Sequence, residues 1–159
     1  MIRPCIVYKD RCEEAIKFYV SLFPNSSIDS LTKSETDGPI AKGKVLGAIF
    51  QLDGREYMAF DGGETFNFSE GVSLMAICKT QEEVDRYWSA LTANGGEEGP
   101  CGWLKDRFGL SWQIVPEALT QMLSDPKSGD SQAAFQAMLK MKKLDIAALE
   151  RAYKGSPVG

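Results

Sequence analysis

Two rhythms of apolar and polar residues run along this chain, and they occur twice in the same order. Ile2 to Tyr8 reads as a short strand. Asp10 then has the character of a helix N-cap, with Glu13 three residues later completing a capping-box spacing. Ala15, Ile16, Phe18, Tyr19, Leu22 and Phe23 follow with helical period, and Pro24-Asn25 ends the helix. Strands are predicted over Ser27 to Ser34 and Lys44 to Leu52. Asp53-Gly54 is a tight hairpin signal, with Glu56 to Phe60 as the return strand. Asp61-Gly62-Gly63 breaks the pattern, and a loop runs to about Gly71.

The series then restarts. Val72 to Cys78 reads as a strand and Thr80-Gln81-Glu82-Glu83 as a capping box. Val84, Tyr87, Trp88 and Leu91 share one helix face, and Asn94-Gly95-Gly96 stops that helix. Two short strands flank a turn at Asp106 to Gly109, the second running from Leu110 to Val115. A shift of 69 positions lays Glu13-Glu14 on Glu82-Glu83, Phe18-Tyr19 on Tyr87-Trp88, Leu22 on Leu91 and Asn25 on Asn94. The later strands correspond at a different offset, Asp53-Gly54 before Tyr57-Met58 against Phe108-Gly109 before Trp112-Gln113. An ordered β-α-β-β-β series found twice is harder to reach by chance than one amphipathic helix.

The expected fold is therefore α+β: two βαβββ units forming a curved mixed sheet around a shared cup, with helices after Pro116. The paired units occupy residues 1–116, about 1–62 and 72–116, and residues 117–159 form a C-terminal helical extension of the same domain. In that extension Leu119, Met122 and Leu123 belong to one helix. Ala133 to Lys142 and Ile146 to Tyr153 form two more, the last capped by Asp145. Each unit buries one sheet face under its helix, which leaves the other faces to line a concavity suited to a small molecule.

Composition narrows the function. Of 159 residues, 43% are apolar and 25% charged, an ordinary globular balance. The net charge of −4 implies no broad basic surface, so no nucleic-acid partner is expected. The run Lys140-Met141-Lys142-Lys143 reads as a solvated helix end. No apolar run approaches the roughly 20 residues that span a bilayer, so no membrane association is expected. Cys5, Cys12, Cys78 and Cys101 form no C-x-x-C pair, and no signal peptide precedes them. Free thiols and a cytoplasmic location are the expectation. The chain contains no histidine, which removes Ser-His-Asp triads, Cys-His dyads and His-bearing metal sites.

Three segments carry a family resemblance: Cys12 to Ser26, Thr80 to Asp85, and Gly99-Pro100-Cys101-Gly102-Trp103-Leu104-Lys105-Asp106-Arg107-Phe108-Gly109-Leu110-Ser111-Trp112-Gln113-Ile114-Val115-Pro116. They are similar to the PhnB-like branch of the vicinal-oxygen-chelate, or glyoxalase, superfamily, and Met138 to Glu150 is similar to that branch's tail. The resemblance implies the doubled fold, a small-molecule ligand and a homodimer. The branch is often labelled 3-demethylubiquinone-9 3-methyltransferase. A Rossmann-type methyltransferase, however, places a glycine-rich turn after its first strand, and here that turn is Lys9-Asp10-Arg11-Cys12.

Metal-dependent relatives place His, Glu or Gln ligands at two strand positions per unit. The resemblance carries these onto Pro4 and Met58 in the first unit and Ser73 and Gln113 in the second; a one-residue frame change brings Cys5 and Leu74 in their place. Only Gln113 is a suitable donor for Zn, Ni, Fe or Mn, so neither metal nor cofactor is expected.

Strand alternation places Ser111, Gln113 and Val115 on one face and Trp112 and Ile114 under the helix. Gln113 is then either an amide that orients a ligand or a partly buried polar residue bonded to backbone. Trp103 either walls the cup or packs in the core. Glu56 shares a face with Met58 and Phe60, as a general base or as an exposed carboxylate beside the hairpin. Met58 and Met75 would make the cup apolar and adaptable. Candidate binding residues are thus Gln113, Met58, Ser73, Met75, Trp103 and Glu56. Cys101, in irregular backbone near Lys105, is a nucleophile candidate or an inert thiol. Cys5 and Cys78 read as small core residues. Three functions remain open: a metal-free small-molecule binder, a lyase-like or transferase-like enzyme, and a structural or regulatory homodimer.

Overall fold

Alternating burial along four strands and a helix builds the first of two compact units, Met1–Asn67 and Phe68–Gly159, in a computed structural model that describes residues 1–155. In the first unit β1 (Cys5–Tyr8) is followed by α1 (Cys12–Leu22), β2 (Ser27–Lys33), β3 (Val45–Leu52) and β4 (Arg55–Asp61), in sheet order β1-β4-β3-β2. β1 runs parallel to β4; the other pairs are antiparallel. Ile6, Tyr8, Ala48, Phe50 and Ala59 bury one sheet face, and α1 buries Cys12, Ala15, Ile16 and Tyr19. Asp53 and Gly54 both take positive φ, 49° and 73°, the two-residue turn whose twist suits a hairpin.

The N-terminus of α1 differs from the sequence expectation. Its N-cap position is Arg11 rather than Asp10, and no side chain caps it locally. The Cys12 N–H donates instead to Asp61 Oδ1 at 2.8 Å. β1 also begins at Cys5, not Ile2, because Ile2 is fully exposed and Pro4 has no N–H to pair. Cys5 is exposed and not a core residue.

The second unit repeats the plan with β5 (Leu74–Cys78), α2 (Gln81–Thr92), β6 (Glu97–Glu98), β7 (Trp103–Lys105) and β8 (Ser111–Pro116), in order β5-β8-β7-β6. Thr80 Oγ1 accepts from the Glu83 N–H at 3.2 Å, and Glu83 reaches back to the Lys79 N–H at 2.7 Å. Asn25 and Asn94, the two helix-stop residues, both adopt left-handed backbone, at φ 52° and 56°. The two-residue strand β6 carries no alternation long enough to be read from sequence.

Three helices complete this unit: α3 (Glu117–Ser124), α4 (Ser131–Met138) and α5 (Ile146–Lys154). They enclose a cluster of Leu119, Met122, Ala134, Leu144 and Leu149. Asp145 caps α5 through the Ala148 N–H at 2.9 Å. α4 stops at Met138, short of Lys142, so the basic run lies in turns rather than at a helix end. Lys143 there pairs with Asp85 at 2.8 Å. No helix among the described residues is long and apolar enough to cross a membrane.

Pleat direction corrects the internal alignment. Tyr8 and Cys78 are both buried under their helices and pair with Asp61 and Pro116. They are level with each other, an offset of 70, because one more residue separates strand from helix in the first unit. The shift of 69 thus holds for the helices and fails by one in the strands. Cys5 becomes level with Met75, and Met58 with Gln113.

Candidate functional site

Gln113 sits at the centre of a three-strand row on the sheet face turned away from α2. β8 lies between β5 and β7, and Gln113 pairs with Met75 on one side and Trp103 on the other. Paired residues project to the same face, so the three side chains stand side by side. Trp112 and Ile114, on the opposite face, are buried against α2. Met75 is 52% exposed and Ile77 62%, while Gln113 and Trp103 are half-buried. Gln113 Nε2 donates to Ser73 Oγ at 3.0 Å. Four of the six candidates therefore occupy one contiguous surface.

Two details hold this row in place. Asp106 is 3% exposed; its Oδ1 accepts from the Phe108 and Leu110 N–H groups, and its Oδ2 from Trp112 Nε1 at 2.9 Å. That fixes the turn joining β7 to β8. Cys101 and Gly102 take φ of 57° and 84°, and their N–H groups donate to Met141 O and Lys142 O at 2.8 Å. The turn leading into Trp103 is thereby clamped to the C-terminal extension.

The polar end of the face was not anticipated. Lys105 lies two residues beyond Trp103, pairs in register with Ser111 and Glu97, and forms an ion pair with Glu70 at 2.5 Å. This partner holds the Lys105 ammonium above its usual pKa. Glu70 lies in a loop without periodicity, so no sequence signal linked the two.

In the first unit Met58 and Glu56 share the face turned away from α1, as alternation required. Glu56 is exposed and receives Arg3 Nε at 2.6 Å. Arg3 was not a sequence candidate; it precedes the strand and carries no pattern. A groove of about 420 Å³ between α3 and α5, touched by Met122, Asp125, Glu150 and Tyr153, contains none of the six candidates.

The superfamily's ligand positions do not fit a metal. Pro4 has no side-chain donor, and its carbonyl accepts from the Met58 N–H at 2.9 Å. Met58 offers only a soft thioether, and Ser73 and Gln113 are bonded to each other. In the corrected register the residues paired with Met58 and Gln113 are Cys5 and Met75, so the four positions supply one thiol, two thioethers and one amide. No cluster of three or more His, Cys, Asp or Glu among the described residues is arranged to hold a metal ion.

Burial holds two of the thiols protonated. Burial pushes Cys12 up to about 12, with the Asp61, Cys5 and Glu13 charges adding to it. Burial likewise pushes Cys78 to about 12, with Glu83 adding and Arg86 opposing. Cys101 is a free, half-exposed thiol.

Comparison with known proteins follows this geometry. Residues 1–115 match the model of the 3-demethylubiquinone-9 3-methyltransferase family. A PhnB protein from Bacillus cereus with the same methyltransferase description is 33% identical, covering 72% of this chain and 98% of its own, with TM-score 0.66. Protein PA1353 from Pseudomonas aeruginosa is 21% identical over 74% of this chain and 97% of its own, with TM-score 0.61. The fosfomycin resistance protein FosX from Listeria monocytogenes, solved with Mn(II) and 1S,2S-dihydroxypropylphosphonic acid, is 18% identical over 77% of this chain and 96% of its own, with TM-score 0.57. No curated protein matches. The family match ends within β8, so the C-terminal helices lie outside it.

Proposed function

The chain belongs to the 3-demethylubiquinone-9 3-methyltransferase family, the PhnB-like branch of the glyoxalase superfamily, and from that membership we propose that it binds a small organic molecule without a metal. The observation that carries this reading is the Met75–Gln113–Trp103 row: a polar amide between two large apolar side chains on an exposed sheet face. Ligand sites pair such apolar lining with a few placed polar groups. Gln113 orients the ligand, Trp103 and Met75 pack against it, and Ser73 fixes the amide. Met58 and Glu56 lie on the face of the first unit's own sheet turned away from α1 and are candidates there.

The metal-free part rests on donor chemistry. In the corrected register the superfamily's ligand positions carry a thiol, two thioethers and an amide already bonded to Ser73, fewer good donors than the three or four a metal needs. Elemental analysis of purified protein tests it, and stoichiometric Zn, Ni, Fe or Mn would overturn it.

A thermal-shift screen of small metabolites tests the binding. A saturating ligand at a hundredfold excess over its dissociation constant stabilises by about 2.7 kcal/mol. Gln113→Ala should abolish that shift while leaving the ligand-free melting temperature nearly unchanged. An undiminished shift in the variant removes Gln113 from the site.

The family description favours a second reading, methyl transfer. Against it stand the glycine-free turn after β1 and two four-stranded mixed sheets in place of a parallel nucleotide-binding sheet. A saturable shift with S-adenosylmethionine would restore it. A third reading, self-association, is favoured by exposed Val72 and Ile77 in and beside the edge strand β5. Light scattering tests the homodimer, with a monomeric mass at micromolar concentration counting against it.

A further inference from the structure

Building on that binding reading, the geometry points to the class of ligand: an uncharged, flat, apolar molecule with a hydrogen-bond donor and acceptor side by side, such as an aromatic lactam. The Gln113–Ser73 pair sets this demand. Gln113 Nε2 donates to Ser73 Oγ, and neither side chain has a further partner among the described residues. A primary amide has one carbonyl and two N–H groups; a hydroxyl has one hydrogen and two lone pairs. One bond between them leaves Gln113 Oε1 as an acceptor and the Ser73 hydroxyl hydrogen as a donor. Exchanging the two ends of the amide leaves an N–H donor and a hydroxyl acceptor instead. Either way the pair keeps at least one donor and one acceptor for a ligand, with no net charge. A ligand edge that offers the complementary pair satisfies both. A ligand with an acceptor alone leaves one of them unpaired, at the cost of a lost hydrogen bond.

Charge around the row excludes the main competitor, an organic anion. Lys105 is the one cation among the strand residues of this face. It is held by Glu70 and faces Glu97 in the sheet register, so the group carries a local balance of −1. A carboxylate ligand would have to displace Glu70 from Lys105 and meet Glu97 as well. Shape supplies the rest: Met75 and Trp103 flank Gln113, with Ile77 and Val115 paired in register farther along the same two strands. A flat aromatic body covers that surface, and Trp103 gives it a face to stack on.

Titration calorimetry on the full chain with three probes of one shape tests the class. 2-Quinolone carries the donor–acceptor edge, 2-methoxyquinoline lacks the donor, and quinoline-2-carboxylate is anionic. 2-Quinolone should bind at least about tenfold more tightly than either of the others. Ser73→Ala and Gln113→Leu should each remove most of that preference, with melting temperatures as the folding control. Glu70→Gln should improve the carboxylate several-fold and leave 2-quinolone unchanged. Equal or tighter binding of the methoxy compound or the carboxylate overturns the lactam inference and leaves the binding reading standing. Binding of none of the three also overturns the inference, and the reading beneath it falls only if the metabolite screen finds nothing as well.

Discussion

Asp61 accepts a 2.8 Å hydrogen bond from the backbone N–H of Cys12, which lies 49 residues before it in the chain. Its second oxygen accepts from the Val45 N–H, also at 2.8 Å, and the residue is only 3% exposed. One carboxylate at the end of β4 therefore caps α1 and anchors the start of β3. It does from a distance what Thr80 does locally for α2.

Removing it should cost far more than an ordinary cap. Asp61→Ala leaves two N–H groups without their charged acceptor, an expected loss of about 3 kcal/mol in urea unfolding. Asp61→Asn keeps one acceptor oxygen and should lose roughly half as much. A loss below about 0.5 kcal/mol for the alanine variant would show that the cap contributes nothing beyond a surface substitution.

Where a residue's neighbours in sequence are also its neighbours in space, the fold was legible in the chain. Thr80-Gln81-Glu82-Glu83, Asp53-Gly54 and the two Asn helix stops are of that kind, and the structure places each as read. Asp10 misled because it has the spacing of a capping box, while the N–H it would have capped is taken by Asp61. The ungapped repeat misled for a related reason. Helix period tolerates a one-residue slip in the preceding linker, but a strand does not, since one residue reverses its faces. Alternation placed Met58 and Glu56 on one face of the first sheet, and Gln113 and Met75 on one face of the second. It had no means of finding Arg3 or Glu70, which reach the sheet from irregular segments.

Thiol reactivity should divide the four cysteines two and two. Cys12 and Cys78 are fully buried with pKa values pushed to about 12, whereas Cys5 is exposed and Cys101 half-exposed. A disulfide exchange reagent at pH 8 should titrate two thiols in the native protein and four in urea. Four fast-reacting thiols in the native state would contradict the burial. The same shifts give a direction for stability. Above the ordinary value of 9.0 the unfolded chain releases these two protons while the folded chain keeps them. The unfolded state then binds fewer protons, so stability falls as pH rises from about 9 towards 12. Cys78→Ala should flatten that decline in urea midpoints measured between pH 8 and 10.5.

Gln81 joins the second helix to the C-terminal extension. Its Oε1 accepts from the Ile146 N–H at 2.8 Å, and its Nε2 donates to Leu144 O and to Asp85 Oδ1, each at 3.0 Å. Gln81→Ala should cost about 1–2 kcal/mol. The loss should be local, with amide exchange at Ile146 accelerating at least tenfold while β8 amides hardly change. Uniform acceleration across the second unit would instead mark Gln81 as part of its cooperative core.

Gly102 provides the most restrictive test of how the site is held. Its φ of 84° is a conformation that side chains with a Cβ rarely adopt. A Cβ there would also lie 2.8 Å from Ile114 O and 3.0 Å from Leu144 Cδ1. The backbone is fixed on both sides, because Gly102 N–H donates to Lys142 O and Gly102 O accepts from the Ile114 N–H. Gly102→Ala should therefore cost about 2–3 kcal/mol, from left-handed strain and the forced contact together. It should also displace Trp103, the next residue and one wall of the proposed site. Tryptophan emission and ligand affinity should both change in the variant at temperatures where circular dichroism shows it folded. Wild-type affinity together with the expected stability loss would separate the clamp from the site and leave Gly102 a purely structural residue.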